Sequence, residues 1–459
     1  METVAFEVSQ SVTIFFSIVL LLMVLSLALE EKIHAQKSVI ASVFAIICLG
    51  IATALGLMPI GEITLPNGHQ VSIPVYIPAV DWGVIAIILG SSIFVDVTSR
   101  SGLFSWVAIK LTKASGGDSL KLLWFYGLLT VVFSALLNNV TAMIIIGSLT
   151  AVSLNRLNKL DKLLGFLLIE ALLTNIGGLM TLISSVPNII IGNAAKITFI
   201  EFFITASPYV LIATFLTILM GAKFFSIKAL TDKDDILASA ELIKTFDEND
   251  GIESQGFFWF GAGMLALFIL TIAMTSILPV ARELGMGFVA LSFAVIMLLR
   301  YKSSVDQFYR SVDWDLLMFF IALFVVINVM EHAKVLELIG KGIFLAIGSE
   351  ESLFGTGTLL VLSAALSSVT DNIPLAAMLA KILGAEGTAA DSALWWSVVF
   401  GANLGGNLTP IGSASTLVAV TIMHKNNIKM SFVGFVKVAI PFAFMQILLA
   451  LGYVLVFLY

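Results

Sequence analysis

Charged residues are scarce in this chain: Asp, Glu, Lys and Arg make up 12% of its 459 residues, whereas hydrophobic residues make up 59%. A soluble globular protein carries about 25% charged residues, so no soluble core could enclose this much apolar side chain. Lipid must therefore solvate much of the chain. This balance excludes a soluble enzyme and a disordered chain. A net charge of −6 without a basic stripe gives no surface for a nucleic acid.

Cysteine and nucleotide-binding motifs are equally sparse. The single Cys48 lies in an apolar run, so no disulfide or cysteine metal cluster can form within one chain. The phosphate-binding pattern G-x-x-x-x-G-K-S/T does not occur, which argues against transport driven by nucleotide hydrolysis in this chain. The N-terminal segment lacks the basic residues of a signal peptide, so the first apolar run is predicted to be a retained span.

Apolar runs long enough to cross a bilayer recur along the chain. Eight are continuous, at 11–30, 38–59, 82–98, 199–222, 256–280, 284–300, 314–331 and 433–458. Two longer runs contain Gly, Asn, Ser and Pro in mid-stretch and predict broken helices, at 163–195 and 392–423. Two others are pairs of arms, each of about 14–17 residues, around a polar tip. These predict re-entrant hairpins, at 121–155 and 354–383, which are tolerated where they line a protein-walled cavity.

Three motifs recur in the same order about 230 residues later. They are DWGVIAIILG at 81 and DWDLLMFFIA at 313, NNVTAMI at 138 and DNIPLAA at 371, and TNIGGLMTLISSVPN at 174 and ANLGGNLTPIGSAST at 402. The repeats predict two homologous halves, 1–225 and 256–459, joined by a polar linker at 226–255.

An odd number of spans in each half reverses the direction in which the second half enters the membrane. The predicted fold class is therefore an all-α polytopic membrane protein made of two inverted repeats. Each repeat has five spans plus one re-entrant hairpin, with broken helices at the midplane. This architecture is typical of secondary transporters, which bind substrate at the breaks.

The uneven distribution of Lys and Arg between the loops predicts the orientation. Most of them fall on the inner side if the N-terminus is outside and both polar-tipped segments are hairpins. The chain is therefore predicted to be an integral protein of the bacterial inner membrane. Both termini are expected outside, and the linker at 226–255 is expected in the cytoplasm.

Each broken helix exposes unpaired N–H groups that favour anions and unpaired carbonyls that favour cations. Three carboxylates also lie within apolar segments, where ionisable residues are functional candidates: Asp371 at the second hairpin tip, Glu170 in the first broken helix, and Asp96 near the inner end of its span. Plainer roles remain open, namely a helix cap for Asp371, a structural contact for Glu170, and snorkelling for Asp96. No Arg or Lys falls within the four breaks, so a carboxylate there would repel an anion and suits Na⁺ or H⁺ better.

The stretches SALLNNVTAMIIIGSLT, SSVTDNIPLAAMLAKIL and GANLGGNLTPIGSASTLVAV, together with the segment that begins TNIGGLMTLISSVPN, resemble the ion transporter superfamily. The resemblance covers nearly the whole chain and is closest to the arsenite permease and sodium/proton antiporter branch, which includes citrate-transporter-like permeases. It implies a homodimer in which a transport part moves like an elevator against a scaffold. It also implies that the site is formed by Asn138, Asn139, Thr141, Asn175, Gly177, Gly178, Thr181, Ser184, Ser185, Asn188, Thr370, Asp371, Asn372, Asn403, Gly405, Gly406, Asn407, Thr409, Ser413 and Ser415.

Two departures from the pattern of that branch remove a carboxylate from the first half. The first hairpin tip reads Asn138-Asn139 where Asp-Asn is common, and the first break reads SSVPN where GDPPN is common. Cation coupling would therefore depend on Asp371 and Glu170.

The sequence thus predicts a secondary transporter and not an enzyme, with a sodium (cation)/proton antiporter as the first hypothesis. Asp371, Glu170 and Asp96 are the predicted coupling residues, and a Na⁺ site is predicted at Asp371, Asn403 and Asn175. The alternatives are a Na⁺- or H⁺-coupled permease for a small oxyanion, an oxyacid or a di- or tricarboxylate, and a channel-like or structural subunit. The expected partners are lipid, a small solute and a second copy, without nucleic acid or any resident cofactor.

Overall fold

The computed structural model describes residues 8–58, 62–64, 70–302, 305–348 and 352–459. Helices dominate it throughout. Those of the first half are α1 (Gln10–Ala28), α2 (Glu30–Ile33), α3 (Lys37–Ala54), α4 (Trp82–Ser99), α5 (Leu103–Ser115), α6 (Ser119–Leu136), α7 (Asn139–Arg156), α8 (Leu163–Gly177), α9 (Val186–Ala195) and α10 (Phe199–Phe224). The linker contributes α11 (Lys233–Ile243).

The helices of the second half follow the same order. They are α12 (Gln255–Ala273), α13 (Pro279–Arg300), α14 (Val305–Ser311), α15 (Trp314–His332), α16 (Val335–Ile347), α17 (Leu353–Ser367), α18 (Asn372–Ala385), α19 (Ala393–Gly405), α20 (Ala414–Lys425) and α21 (Phe432–Tyr453). Two short strands, β1 (Glu62–Thr64) and β2 (Gln70–Ser72), pair antiparallel between α3 and α4 with Ile63 opposite Val71.

Nine helices of the described residues are long and apolar enough to cross a membrane. Eight coincide with the continuous runs of the sequence, and the ninth is α6. The arms of the first hairpin are thus longer than expected, with 18 residues each in α6 and α7, whereas those of the second hairpin have 15 in α17 and 14 in α18. The first hairpin is therefore marked by the abrupt reversal between its two helices rather than by short arms.

Helices from the two halves pair reciprocally in what we call the scaffold, formed by α1, α3, α4, α12, α13 and α15. Helix α3 packs on α15, and α13 packs on α4. Gly90 permits the second contact, since a Cβ there would lie 2.5 Å from the carbonyl carbon of Ala290. The repeated Asp-Trp motif begins α4 and α15 in the same way, because Asp81 and Asp313 each accept a hydrogen bond from the backbone N–H three residues later.

The remaining long helices form a second unit, the broken-helix body, which consists of α6 to α10 and α17 to α21. The first hairpin packs on α8 and the second on α19. Contacts also cross between the halves, since α7 packs on α20 and α18 packs on α9. The short helices α5 and α16 lie between the two units and contact both of them. The two breaks and the two hairpin tips are thereby gathered in one body.

The linker is held against the first half by charged contacts. Glu248 binds two lysines of α5, with its Oε1 lying 3.0 Å from Lys110 Nζ and its Oε2 accepting a hydrogen bond from Lys113. The Arg156 guanidinium, at the end of α7, lies 5.3 Å from the centroid of the Phe246 ring. The segment after α11 is therefore fixed to both α5 and the base of the first hairpin.

Docking of the linker is expected to weaken in acid. The hydrogen bond from Lys113, then a backbone hydrogen bond at Glu248 itself and then the bond from Lys110, lower the pKa of the Glu248 carboxyl to about 2. A carboxyl with a lowered folded-state pKa stabilises the docked state above its ordinary value of about 4.3 and loses that contribution as the pH falls toward the lowered value. A spin label attached through Asn249→Cys should therefore be immobile at neutral pH and gain mobility as the pH falls from about 4 to about 2.

Two charge-removing variants make this measurement specific. In Glu248→Gln, the label should already be mobile at neutral pH, whereas Glu253→Gln, which changes an exposed linker carboxylate, should leave it immobile. Equal mobility of the label in the two variants would contradict the conclusion that Glu248 fixes the linker to α5.

Candidate functional site

Both broken helices stop at a glycine against which a hairpin packs closely. Helix α8 ends at Gly177 and α19 ends at Gly405. A Cβ on Gly177 would lie 2.7 Å from the carbonyl oxygen of Val131 in α6, and one on Gly405 would lie 2.3 Å from that of Ala364 in α17. No side chain fits in these gaps, so the first glycine of each Gly-Gly pair is required by close backbone approach.

Hydroxyl groups tie each hairpin to its break in the same way in both halves. Thr181 Oγ1 donates to the carbonyl of Ala135 at 2.6 Å, and Thr409 Oγ1 donates to that of Ser368 at 2.6 Å. In the opposite direction, the α6 residue Ser134 donates to the Thr174 carbonyl at 2.6 Å, and the α17 residue Ser367 donates to that of Ala402 at 2.6 Å. Each tip and its break are thus held as one rigid unit.

The two breaks are joined to one another by a reciprocal pair of hydrogen bonds. Ser185 Oγ donates to Asn403 Oδ1 at 2.7 Å, and Ser413 Oγ donates to Asn175 Oδ1 at 2.9 Å. Asn175 and Asn403 occupy equivalent positions in the repeat, as do Ser185 and Ser413. Each half therefore donates one serine hydroxyl bond to an asparagine of the other half, as expected for two repeats related by a two-fold axis.

Buried amides extend this network beyond the symmetric pair. Asn175 Nδ2 donates to Asn407 Oδ1 at 2.8 Å, and Asn403 Nδ2 donates to Asn188 Oδ1 at 2.9 Å. Asn407 Nδ2 in turn donates to Gln446 Oε1 of α21 at 2.7 Å. All five side chains are at most 1% exposed, so each lost bond would leave a buried polar group unpaired.

Sequence reasoning missed Gln446 and its partner Thr217, which accepts a hydrogen bond from Gln446 Nε2 at 3.0 Å. A signal was present, because Gln446 is a single amide in the otherwise apolar stretch 438–452 of α21. In an apolar span such a residue needs a partner on another helix.

The other predicted residues surround this network. Asn139 Nδ2 donates to Asn175 Oδ1 at 3.3 Å, and Ser415 Oγ donates to the same oxygen at 3.2 Å. Gly178 packs against the Asn139 amide, and its carbonyl accepts from both Ser184 Oγ and Asn188 Nδ2 at 2.7 Å.

The remaining predicted residues lie at the tips and within the second break. Asn138 caps α7 by accepting from Thr141 N at 2.7 Å. Gly406 packs on the Gly412 carbonyl, and Asn372 is the first residue of α18.

The helices that follow the breaks begin without a side-chain cap. Ser185 precedes α9 and Ser413 precedes α20. Neither makes a capping hydrogen bond, because its hydroxyl bonds instead to an asparagine of the other half. Hairpin helices α7 and α18, by contrast, are capped by Asn138 and Asp371. The first N–H groups of α20 are therefore available for an anion, whereas α9 offers one fewer because Pro187 has no N–H.

A cavity of about 590 Å³ lies between the scaffold and the second half of the broken-helix body. Its walls include Lys37 of α3 on one side and Thr370, Asp371, Ser413 and Ala414 on the other. The uncapped start of α20 therefore faces a space large enough for a small solute.

Asp371 at this cavity has a cationic partner that the order of the sequence does not indicate. Its Oδ1 caps α18 by accepting from Ile373 N at 3.1 Å, and its Oδ2 lies 2.6 Å from Lys37 Nζ. The four breaks themselves contain no Lys or Arg, but α3 brings Lys37 to one of them. The expectation that Asp371 is an uncompensated carboxylate that repels anions is therefore wrong.

The other two predicted coupling carboxylates occupy different surroundings. Glu170 is fully buried in α8, where its Oε1 accepts from Thr150 Oγ1 at 2.6 Å and its Oε2 has no hydrogen-bond partner among the described residues. Asp96 Oδ2 lies 3.3 Å from the Nε of Arg100, the residue that follows the last residue of α4. Of the predicted Na⁺ ligands, Asn175 and Asn403 lie in the amide network, whereas Asp371 is paired with Lys37.

Several known proteins with similar sequences are named as transporters. The citrate transporter family matches residues 20–401 of this chain. An uncharacterized transporter of Mycobacterium tuberculosis is 29% identical over 366 residues, which cover 78% of this chain and 82% of the relative. The human P protein is 24% identical over 512 residues, covering 94% of this chain and 60% of that longer protein.

A solved structure supports the same fold. The YdaH transporter of Alcanivorax borkumensis superposes with a TM-score of 0.59 over 92% of this chain and 98% of that one, at 14% identity. Agreement at such low identity concerns the fold alone. The match to the family extends over most of the chain and includes the first hairpin, the first broken helix and the second hairpin. The chain therefore belongs to the citrate transporter family and is a membrane transporter, not an enzyme.

Proposed function

We propose that this protein is a secondary transporter of a small carboxylate anion, coupled to Na⁺ or H⁺. The observation that carries the proposal is the uncapped start of α20, which borders the cavity together with Ser413 and Lys37. Unpaired backbone N–H groups and an ammonium are donors that bind carboxylate oxygens. The Ser413 hydroxyl can join them by turning its single proton from Asn175 to the ligand. The description of the family as citrate transporters supports the same choice.

Transport is proposed to proceed by an elevator movement of the broken-helix body against the scaffold. Two features support this mechanism: the cavity lies between the two units, and each tip is fixed to its own break by hydroxyl bonds. The body can therefore move without opening its internal network. A homodimer, in which the scaffolds of two copies meet, belongs to the same proposal.

The orientation expected from the loops is retained in this proposal. Both termini would lie outside and the linker at 226–255 in the cytoplasm, with 1–225 and 256–459 as the two inverted repeats. The cavity would then be open toward the cytoplasmic side, where Lys32 and Lys37 lie.

Sodium/proton antiport is the second candidate, because the Asp371 carboxylate is part of the cavity wall. Glu170, whose Oε2 meets no hydrogen-bond partner in the described part of the chain, would be the accessory proton-binding group. In the present arrangement the Lys37 ammonium occupies the position next to Asp371 Oδ2 that a bound cation would take. Carboxylate transport is preferred for that reason.

Reconstituted protein distinguishes the two candidates. Proteoliposomes with an inward Na⁺ or H⁺ gradient should accumulate radiolabelled citrate or succinate above equilibrium. Na⁺-driven proton movement without a carboxylate, together with no uptake of either acid, would instead establish the antiporter.

A pair of equivalent serines provides a matched test of the proposed site. Ser413→Ala removes a cavity hydroxyl that bonds both Asn175 and Ser415, whereas Ser185→Ala removes only the bond to Asn403. We expect carboxylate KM to rise about tenfold in Ser413→Ala, since one hydrogen bond to a charged ligand is lost. Ser185→Ala should reduce stability by a similar amount but change KM little. Equal effects on KM would contradict an anion site at α20.

A further inference from the structure

The Lys37–Asp371 ion pair connects the two units of the protein. Lys37 is the first residue of the scaffold helix α3, and Asp371 precedes α18 at the second hairpin tip. Their side chains are 27% and 19% exposed, and both border the cavity. A solute in the cavity can therefore reach the pair directly.

Other charges around the pair leave the cavity electrically balanced. Glu30 Oε1 lies 3.7 Å from Lys37 Nζ, and Lys32 is also part of the wall, so two carboxylates face two ammonium groups. On α15, Asp315 Oδ1 accepts hydrogen bonds from both the backbone N–H and the hydroxyl of Ser38. Lys37 already faces both carboxylates, so an entering anion gains Lys37 as a partner only if an existing ion pair separates.

We propose that Lys37 is a substrate-binding residue supplied by the scaffold, and that it exchanges one carboxylate partner for another. It binds Asp371 when the cavity is empty and the carboxylate of the substrate when the cavity is occupied. This inference rests on the proposed carboxylate transport and adds to it the means of coupling.

Exchange of partners leaves Asp371 as an uncompensated carboxylate in a half-buried wall. Such a group gains strongly by binding a proton or Na⁺, because its charge is no longer neutralised by Lys37. The anion and the coupling cation therefore favour each other's binding, although they need not touch. Coupling of this kind is reciprocal, so each ligand raises the affinity for the other by the same factor.

Calorimetric titration of the purified protein with citrate and succinate tests this exchange. In the wild type, affinity should rise about tenfold when Na⁺ is added or the pH is lowered, whichever cation couples. In Asp371→Asn, binding should be at least as tight as in the wild type and independent of both cations, since Lys37 then keeps only its longer contact with Glu30. Asparagine can still accept the bond from Ile373 N, so α18 keeps its cap.

Two lysine variants complete the test. Lys37→Gln should bind the acids about tenfold more weakly and without cation dependence, whereas Lys32→Gln should retain that dependence. Cation dependence in Asp371→Asn equal to that of the wild type would overturn the inference. If the affinity of the wild type for the acids depended on neither cation, the inference would also be overturned, but the proposal of carboxylate transport would not. No binding of either acid by the wild type would overturn both proposals.

Discussion

Gly405→Ala is expected to lower the thermal unfolding midpoint by several degrees and to remove most transport. The added Cβ would lie 2.3 Å from the Ala364 carbonyl oxygen and 2.8 Å from Ser367 Cβ, and the first of these is backbone that cannot rotate away. Overpacking of a close contact costs about 1–3 kcal/mol. Since α17 must move outward, its Ser367 would also lose the bond to the Ala402 carbonyl, and the second hairpin tip would shift from the cavity.

The same substitution in a nearby helix provides the control. Gly384 lies in α18, and a Cβ added there meets nothing within 4 Å. Gly384→Ala should unfold at or slightly above the wild-type temperature, because alanine is the better helix former, and should transport normally. If Gly405→Ala were as stable and active as Gly384→Ala, the close approach of α17 to the break would be wrong.

Asn403→Ala is expected to reduce transport by about a hundredfold and to destabilise the protein. The amide of Asn403 accepts from Ser185 and donates to both Asn188 and the Val399 carbonyl. Its removal leaves buried groups in both halves unpaired, at about 1–3 kcal/mol for each group. Because these bonds hold the two breaks together, the substrate site should lose its geometry as well as its stability.

Initial uptake rates and thermal unfolding of reconstituted protein would measure both effects. Asn193→Ala alters an exposed asparagine of α9 and should change neither quantity. Asn175→Ala, at the equivalent position of the first half, should resemble Asn403→Ala. Normal uptake by both of these variants would show that the reciprocal network is not needed for transport.

Hydropathy and internal repetition predicted the broken helices and hairpins well, because bilayer thickness dictates the length of an apolar helix. The breaks at Gly177 and Gly405 were recognisable from polar residues repeated in register. Arm length predicted the hairpins less well. Helix α6 is as long as a full span, yet the chain reverses direction directly after it and continues as α7. A reversal is set by the residues at the tip, and length alone does not detect it.

Contacts between the halves could be predicted only in part. Alignment of the repeats identifies Ser185 and Ser413 as equivalent positions, but it does not say that each bonds to the asparagine of the other half. The Lys37–Asp371 pair joins elements that are not equivalent in the repeat, so repetition gave no indication of it. In the sequence, Lys37 is one of the many Lys and Arg residues of the loops that predict orientation, whereas tertiary packing brings it to the cavity.

The two hairpin tips differ in charge. This difference affects how the protein without substrate is distributed between the states open to the two sides of the membrane. If the halves were identical, the states open to either side of the membrane would be equally populated. Here the cap at one tip is the neutral Asn138, while the equivalent Asp371 carries the charge that binds Lys37. Under the proposed alternating access, the carrier would rest mainly in the state that contains the ion pair. A solute approaching from the opposite side would then meet a minority of competent molecules, and its apparent affinity would be weaker there by that fraction.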